Sequence, residues 1–233
     1  MRILAIGDIH GCATAFDTLL AAVQPQPEDL IITLGDYVDR GPDSKAVIER
    51  LLALHKTGRL VALRGNHEIM MLQARLDPLV EADWRSFGGD EALDSYVPEG
   101  YTGTLADVPA THWDFIENVC VAYHETETHF FVHANAHPKL PLIDQPDFML
   151  YWERFNHPDP HCSGKIMVCG HTSQKSGLPV NRGHAVCIDT WVYGRGSLTC
   201  LDVTTDKIWQ ANEAGEQRTF SLHDIPQSQI KAS

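Results

Sequence analysis

Three short aliphatic runs, residues 3–6, 30–34 and 60–63, set the rhythm of the first third of the chain. Each is bounded by turn residues and closed by a polar, glycine-containing stretch, the pattern of a strand buried on both faces of a parallel sheet. Between them, residues 13–23 and 44–54 carry apolar positions at helical spacing, with Thr14 and Asp43 or Ser44 as candidate N-caps. The pattern predicts β-α-β-α-β. Parallel strands need crossovers, so the three polar stretches must emerge at the carboxyl edge of one sheet, where open α/β folds place their ligands.

From Glu68 to about Trp113 the spacing predicts helical segments and then a polar loop through Gly88-Gly89-Asp90, Pro98-Glu99-Gly100 and Gly103. This region is expected to pack over one sheet edge and border the site, with His112 a surface or capping residue. The second half is β-rich, with runs at 119–123, 128–132, 166–169, 184–188, 197–203 and 207–211, several separated by turn signals such as Asn181-Arg182-Gly183. A second sheet packed on the first follows. The expected fold class is α/β (α+β in some schemes), a central β-sandwich of two mixed sheets flanked by helices. Its 233 residues read as one domain, with 213–233 a polar, peripheral tail.

The polar stretches after the first three runs are Gly7-Asp8-Ile9-His10-Gly11, Gly35-Asp36-Tyr37-Val38-Asp39-Arg40-Gly41-Pro42 and Arg64-Gly65-Asn66-His67-Glu68. Asp8, Asp36 and Asn66 are separated by 28 and then 30 residues, close to the roughly 30-residue length of a β-α-β unit. Equivalent spacing puts them on adjacent strand ends. Two later runs also end in histidine, in Val132-His133-Ala134-Asn135 and Gly170-His171-Thr172. Asp8, His10, Asp36, Asn66, His133 and His171 form a nitrogen-and-oxygen donor set suited to manganese, iron, zinc or nickel rather than calcium. Six donors exceed what one catalytic ion with an open position needs and suit two ions sharing a carboxylate. Two ions about 3.5–4 Å apart can generate a hydroxide between them and stabilise the attacking and departing oxygens at phosphorus, which points to phosphate-ester hydrolysis.

A formal net charge of -13 argues against broad attraction to a nucleic-acid polymer or an anionic membrane surface. An anionic substrate then needs local attraction, which bound metal ions supply. The six cysteines show no C-x-x-C spacing and read as reduced thiols without a role, Cys12 among them. The first apolar run is too short for a signal-peptide core and no run reaches spanning length, so cytoplasmic residence is the expectation.

Taken in order, the three glycine-rich motifs resemble the signatures of the phosphoprotein phosphatase family within the calcineurin-like metallophosphoesterases. His133 and His171 match its two later histidines, and Gly88-Gly89 through Ser95-Tyr96 is similar to its small bacterial members. The resemblance covers Ile3 to about Val203. It implies that Asp8 and His10 hold a first ion, that Asp36 bridges, and that Asn66, His133 and His171 hold a second, with manganese the foremost choice. It also implies that His67 is the general acid, oriented by Asp39, and that Arg40 clamps phosphate oxygens through its planar fork. Arg154 is the candidate for a second phosphate-binding arginine.

Two departures stand out. Asn135 replaces a glycine frequent in relatives, and Asp189-Thr190-Trp191 replaces Asp-Thr-Gly, so that a large indole could narrow the site or add a stacking surface. Glu68 and Arg64 could support the centre, and the nine other histidines have no motif position. The resemblance favours a serine/threonine protein phosphatase, with phosphotyrosine activity conceivable, acting on a phosphoprotein, phosphopeptide or small phosphate ester. The alternative is a dinucleoside polyphosphate hydrolase or nucleotidase, for which Trp191 or the segment from Trp84 to Tyr101 could stack a base. A non-catalytic phosphate-binding module is disfavoured because every ligand and acid position is present.

Overall fold

The computed structural model describes residues 1–225. Strands β1 (Ile3–Ile6), β2 (Leu30–Thr33) and β3 (Leu60–Ala62) run parallel, joined by α1 (Ala13–Val23) and α2 (Ser44–His55). Asp43 caps α2 by accepting the Ala46 N–H. Helix α1 starts after Cys12 without a side-chain cap, so Thr14 lies inside the helix instead of capping it. The chain continues through α3 (Asn66–Ala74), α4 (Pro78–Trp84), α5 (Asp90–Asp94) and α6 (Ala110–Asp114).

A second sheet contains β4 (Tyr123–Glu125), β5 (His129–Val132), β6 (Ile166–Cys169), β7 (Val180–Asn181) and β8 (Ala185–Cys187), in the order β4-β5-β6-β8-β7. A short helix, α7 (Asp147–Tyr151), precedes β6. Strands β9 (Leu198–Asp202), β10 (Lys207–Ala211) and β11 (Gln217–Ser221) then return to the first sheet, whose order is β11-β10-β9-β1-β2-β3. Both sheets are mixed, as expected.

Strand alternation builds the sandwich. Ala5, Ile32 and Leu201 face Phe131, Val168 and Val186 between the sheets. Leu4, Ile6 and Ile31 point the other way, under α1 and α2, while Phe130 and Val132 turn outward onto Leu150 and Tyr151 of α7. Each fully buried aliphatic or aromatic side chain contributes about 1.5–3 kcal/mol relative to exposure.

The structure differs from the sequence reading at three further places. Residues 119–122 are not a strand: a wide helical turn, Phe115–Val119, carries Ile116 into the core, Val121 makes only a bridge to Leu63, and β4 begins at Tyr123. Within the tail read as peripheral, Gln217–Ser221 forms the edge strand β11, fully paired with β10; residues 226–233 lie outside the described residues. His112 is buried, its Nδ1 2.9 Å from the Tyr96 hydroxyl, and burial lowers its pKa. Among the described residues no helix is long and apolar enough to cross a membrane.

Candidate metal centre

The parallel register of β1 and β2 brings the loops after them side by side. The Ile9 and His10 N–H groups both donate to the Asp36 carbonyl, at 3.0 and 2.8 Å, and the Gly11 N–H to the Tyr37 carbonyl at 2.8 Å. Glu68 fastens the same loop from α3. Its Oε1 accepts the N–H groups of Tyr37 (2.7 Å) and Val38 (3.3 Å), and its Oε2 those of Asp36 (2.8 Å) and Gly65 (2.9 Å). Glu68 is therefore a positioning group beneath Asp36 and Asn66. Arg64 points elsewhere, donating to the carbonyls of Ile116, Glu117 and Cys120.

Strain concentrates here. Of the eight non-glycine residues at positive φ among the described residues, His10, Asp36, Asp39, Arg40, His171 and Trp191 lie in these site loops. Such backbones cost of order 1–3 kcal/mol each and persist where surrounding contacts over-determine them, as at functional sites.

Asp36 sits at the middle. His10 Nε2 lies 3.5 Å from its Oδ2, and His133 Nε2 lies 3.4 Å from its Oδ1, which also accepts the His67 N–H at 3.0 Å. His10 Nδ1 donates to the Val38 carbonyl (3.0 Å) and His133 Nδ1 to the Leu34 carbonyl (2.7 Å), which leaves each Nε2 as an acceptor lone pair, that of His10 within reach of Arg40 Nη1. His171 is reversed: Nε2 donates to the Trp152 carbonyl (3.2 Å), so Nδ1 faces Asn66 Oδ1 at 2.9 Å. Asn66 Oδ1 is also 3.0 Å from His133 Nε2. With these tautomers, lone pairs of nitrogen and oxygen confront one another around a buried carboxylate, an arrangement that suits a cation between them.

The ionisation states agree. Burial drives the pKa of His10 well below the ordinary value, and burial followed by His133 lowers that of His171 to about 4, so both are neutral at pH 7, as metal ligation demands. His10, Asp36 and His67 offer ligand atoms within 4.8 Å of one another, as do Asp36, His133 and His171. Asp8 belongs to neither set. Its Oδ2 accepts the His171 N–H at 2.9 Å, while its buried Oδ1 has no hydrogen-bond partner. Burial, Asp189 and Asp36 raise the Asp8 pKa, the signature of an uncompensated carboxylate. A β-carbon at Gly170 would come 1.9 Å from this oxygen, so only glycine lets the β6 loop approach it. The donor set fits divalent ions, which would take the orphaned Oδ1 and the facing lone pairs.

Beside this centre, His67 Nδ1 is 2.6 Å from Asp39 Oδ2, and its Nε2 is 4.0 Å from Asp36 Oδ2. Burial opposes the imidazolium, but Asp36 and Asp39 outweigh it and raise the pKa. Trp84, at the end of α4, is fully buried and donates its indole N–H to the same Asp39 oxygen at 2.8 Å. Trp84 is thus removed from base stacking and given a place behind the acid, a link between residues 45 apart with no sequence signal. Gly89 packs on its indole, and Gly88, at φ 110°, accepts the Arg40 N–H. The middle segment does border the site, through these two glycines.

Arg40 Nη1 lies 3.2 Å from His10 Nε2, with its guanidinium 4.6 Å from the Tyr193 ring centre. Arg154 is exposed; it meets the site loops through its carbonyl, which accepts the Asn135 amide N–H at 3.1 Å. Asn135 in turn accepts the Ala136 N–H, so it ties a loop rather than entering the centre.

Residues 1–194 match the family model described as calcineurin-like phosphoesterase. The chain is 44% identical over 75 residues to a symmetrical bis(5'-nucleosyl)-tetraphosphatase of Acidovorax sp. (strain JS42), covering 32% of this chain and 26% of that protein. It is 39% identical over 90 residues to serine/threonine-protein phosphatase 1 of Salmonella typhimurium, covering 38% of this chain and 39% of that one. The matches thus span about a quarter and two fifths of these relatives. A crystal structure provisionally assigned as a diadenosine tetraphosphatase superposes with a TM-score of 0.64 at 19% identity, covering 94% of this chain and 93% of that one, a likeness of fold. With this match running from before the first motif to beyond the last, the chain belongs to the calcineurin-like phosphoesterase family.

Proposed function

We propose that this phosphoesterase hydrolyses dinucleoside polyphosphates with the help of two divalent ions, manganese foremost. The observation that carries the hydrolytic reading is the pair of imidazole nitrogens of His10 and His133 facing Asp36, with Asn66 Oδ1 against His133 and His171 and His67 paired to Asp39 at the rim. Asp8, His10 and Asp36 would hold one ion, and Asp36, Asn66, His133 and His171 the other. Bound there, the ions would supply an activated water and neutralise charge developing on phosphorus. Arg40 would bind non-bridging phosphate oxygens through its fork. His67, its Nδ1–H held by Asp39, presents Nε2 to the centre and can protonate a departing oxygen. Arg154, exposed and two residues after Trp152, whose carbonyl holds His171, is a candidate to receive a more distant phosphate.

The order of substrates expected from the motifs is reversed here: the tetraphosphatase relatives support a nucleotide ahead of a phosphoprotein. A second reading, serine/threonine phosphatase, is supported by the Asp36-to-Gly41 motif and the Salmonella relative. Turnover of a dinucleoside tetraphosphate, a phosphoserine peptide and a phosphotyrosine peptide at matched concentration with manganese decides between them. A kcat/KM at least tenfold higher for the dinucleotide supports the proposal; a preference for phosphoserine overturns it.

A further inference from the structure

Trp191 follows β8 with a left-handed backbone, φ 63°, a conformation that a bulky L residue rarely adopts. The surrounding turn holds it there. The Trp191 N–H donates to Asp189 Oδ1 at 3.0 Å, its carbonyl accepts the N–H groups of Gly194 and Gly196 at 3.1 Å, and the Ser197 N–H closes the loop onto the Thr190 carbonyl at 3.2 Å. The turn presents the indole instead of burying it, since Trp191 remains half-buried. Gly194 backs the fused ring so closely that a β-carbon would come 2.2 Å from Cε2, and Lys175 Nζ stands over the ring, 5.8 Å from its centre.

The indole is two ring contacts from the centre. Tyr193 lies edge-on to Trp191 at 6.4 Å and meets His10 edge-to-face at 4.8 Å, beneath the Arg40 guanidinium. A π-face backed by Gly194, an exposed ammonium over it that a stacking base would displace toward its own phosphate, and an arginine between it and the metal donors match the order of a nucleotide: base, outer phosphate, reacting phosphate. In a chain of net charge -13, an ammonium placed there meets an anion's need for local attraction.

We infer that Trp191, backed by Gly194 and attended by Lys175, is a nucleobase-stacking subsite for a nucleoside polyphosphate whose reacting phosphate lies at Arg40. This rests on the dinucleotide reading above and assigns one of its two bases a place. Stacking of a base on an aromatic side chain corresponds to an affinity change on the order of tenfold.

The test uses the full chain with manganese and the variants Trp191→Phe and Trp191→Leu, which keep similar bulk and differ in their π-face. In Trp191→Leu the KM for a dinucleoside tetraphosphate should rise about tenfold relative to the KM for p-nitrophenyl phosphate, and Trp191→Phe should keep most of the wild-type ratio. As a readout independent of dinucleotide turnover, ADP should inhibit aryl phosphate hydrolysis more tightly than pyrophosphate, an advantage that Trp191→Leu loses. ADP no better than pyrophosphate in the wild type, or an advantage intact in Trp191→Leu, overturns the subsite. Absence of dinucleotide turnover by the wild type overturns the proposed substrate instead, and the ADP comparison still decides for or against the subsite.

Discussion

Replacing Glu68 by glutamine tests whether the metal donors depend on one buried carboxylate. Each Glu68 oxygen accepts two backbone N–H groups, and the four belong to Gly65, Asp36, Tyr37 and Val38. Glutamine keeps one acceptor oxygen and turns an amide NH2 toward the other two donors. Burial and then Asp36 push the Glu68 carboxyl up to about 7, so above that pH two charge-assisted bonds at about 1.5–3 kcal/mol each are lost, and partial relaxation leaves a destabilisation of about 3–5 kcal/mol. For a chain of this size that lowers Tm by roughly 6–20 °C. Because the orphaned donors belong to the residues that carry Asp36 and precede Asn66, manganese affinity should fall at least tenfold. Thermal melting and metal titration on the same sample read both effects. A Tm within about 2 °C of wild type with unchanged metal affinity would refute the positioning role.

His67→Ala should reduce turnover of a phosphoserine peptide at least a hundredfold while costing far less on an aryl phosphate or a dinucleotide, whose leaving groups need little protonation; equal losses on all three would remove His67 from the acid role. Trp84→Phe deletes the second donor to Asp39 and should lower stability by about 1.5–3 kcal/mol with a several-fold fall in phosphoserine kcat; an unchanged melting curve would deny the bond its importance. Asp29 accepts bonds from Arg2 and from the Gln26 N–H, and although burial opposes its charge these hold its pKa at about 2. Its folded pKa lies below the unfolded value, so its contribution, on the order of 2 kcal/mol, is complete above about pH 5 and fades as pH falls toward 2. The Tm difference between wild type and Asp29→Asn should shrink accordingly, whereas a difference constant from pH 7 to pH 3 would contradict that linkage.

The elements legible in the sequence were those in which burial and motif coincide. Strands β1 to β3 are buried on both faces, so their aliphatic runs are continuous, and the Asp8, Asp36 and Asn66 motifs recur at crossover spacing. Strand β11 was hidden because an edge strand with an exposed face reads as polar chain, as Gln217, Arg218 and Thr219 do. Residues 119–122 misled because the apolar side chains just before them, Phe115 and Ile116, are buried by a wide helical turn, and Cys120 by the single extended residue that ends it, not by a pleat. Within the centre, residue identities were legible but orientation was not. Which nitrogen of His171 faces Asn66 depends on the Trp152 carbonyl 19 residues away, and the bond from Trp84 to Asp39 spans 45. Pairings of that kind arise only when separate loops meet.

The central claim, that hydrolysis depends on ions held around Asp36, is tested most directly by measuring bound metal and turnover on one sample through chelation and manganese restoration, for wild type and Asp36→Asn. Two equivalents bound in the wild type, activity lost and recovered in step with them, and fewer than two retained by Asp36→Asn are predicted. Full turnover by metal-free protein, or two tightly held equivalents in Asp36→Asn, would contradict it.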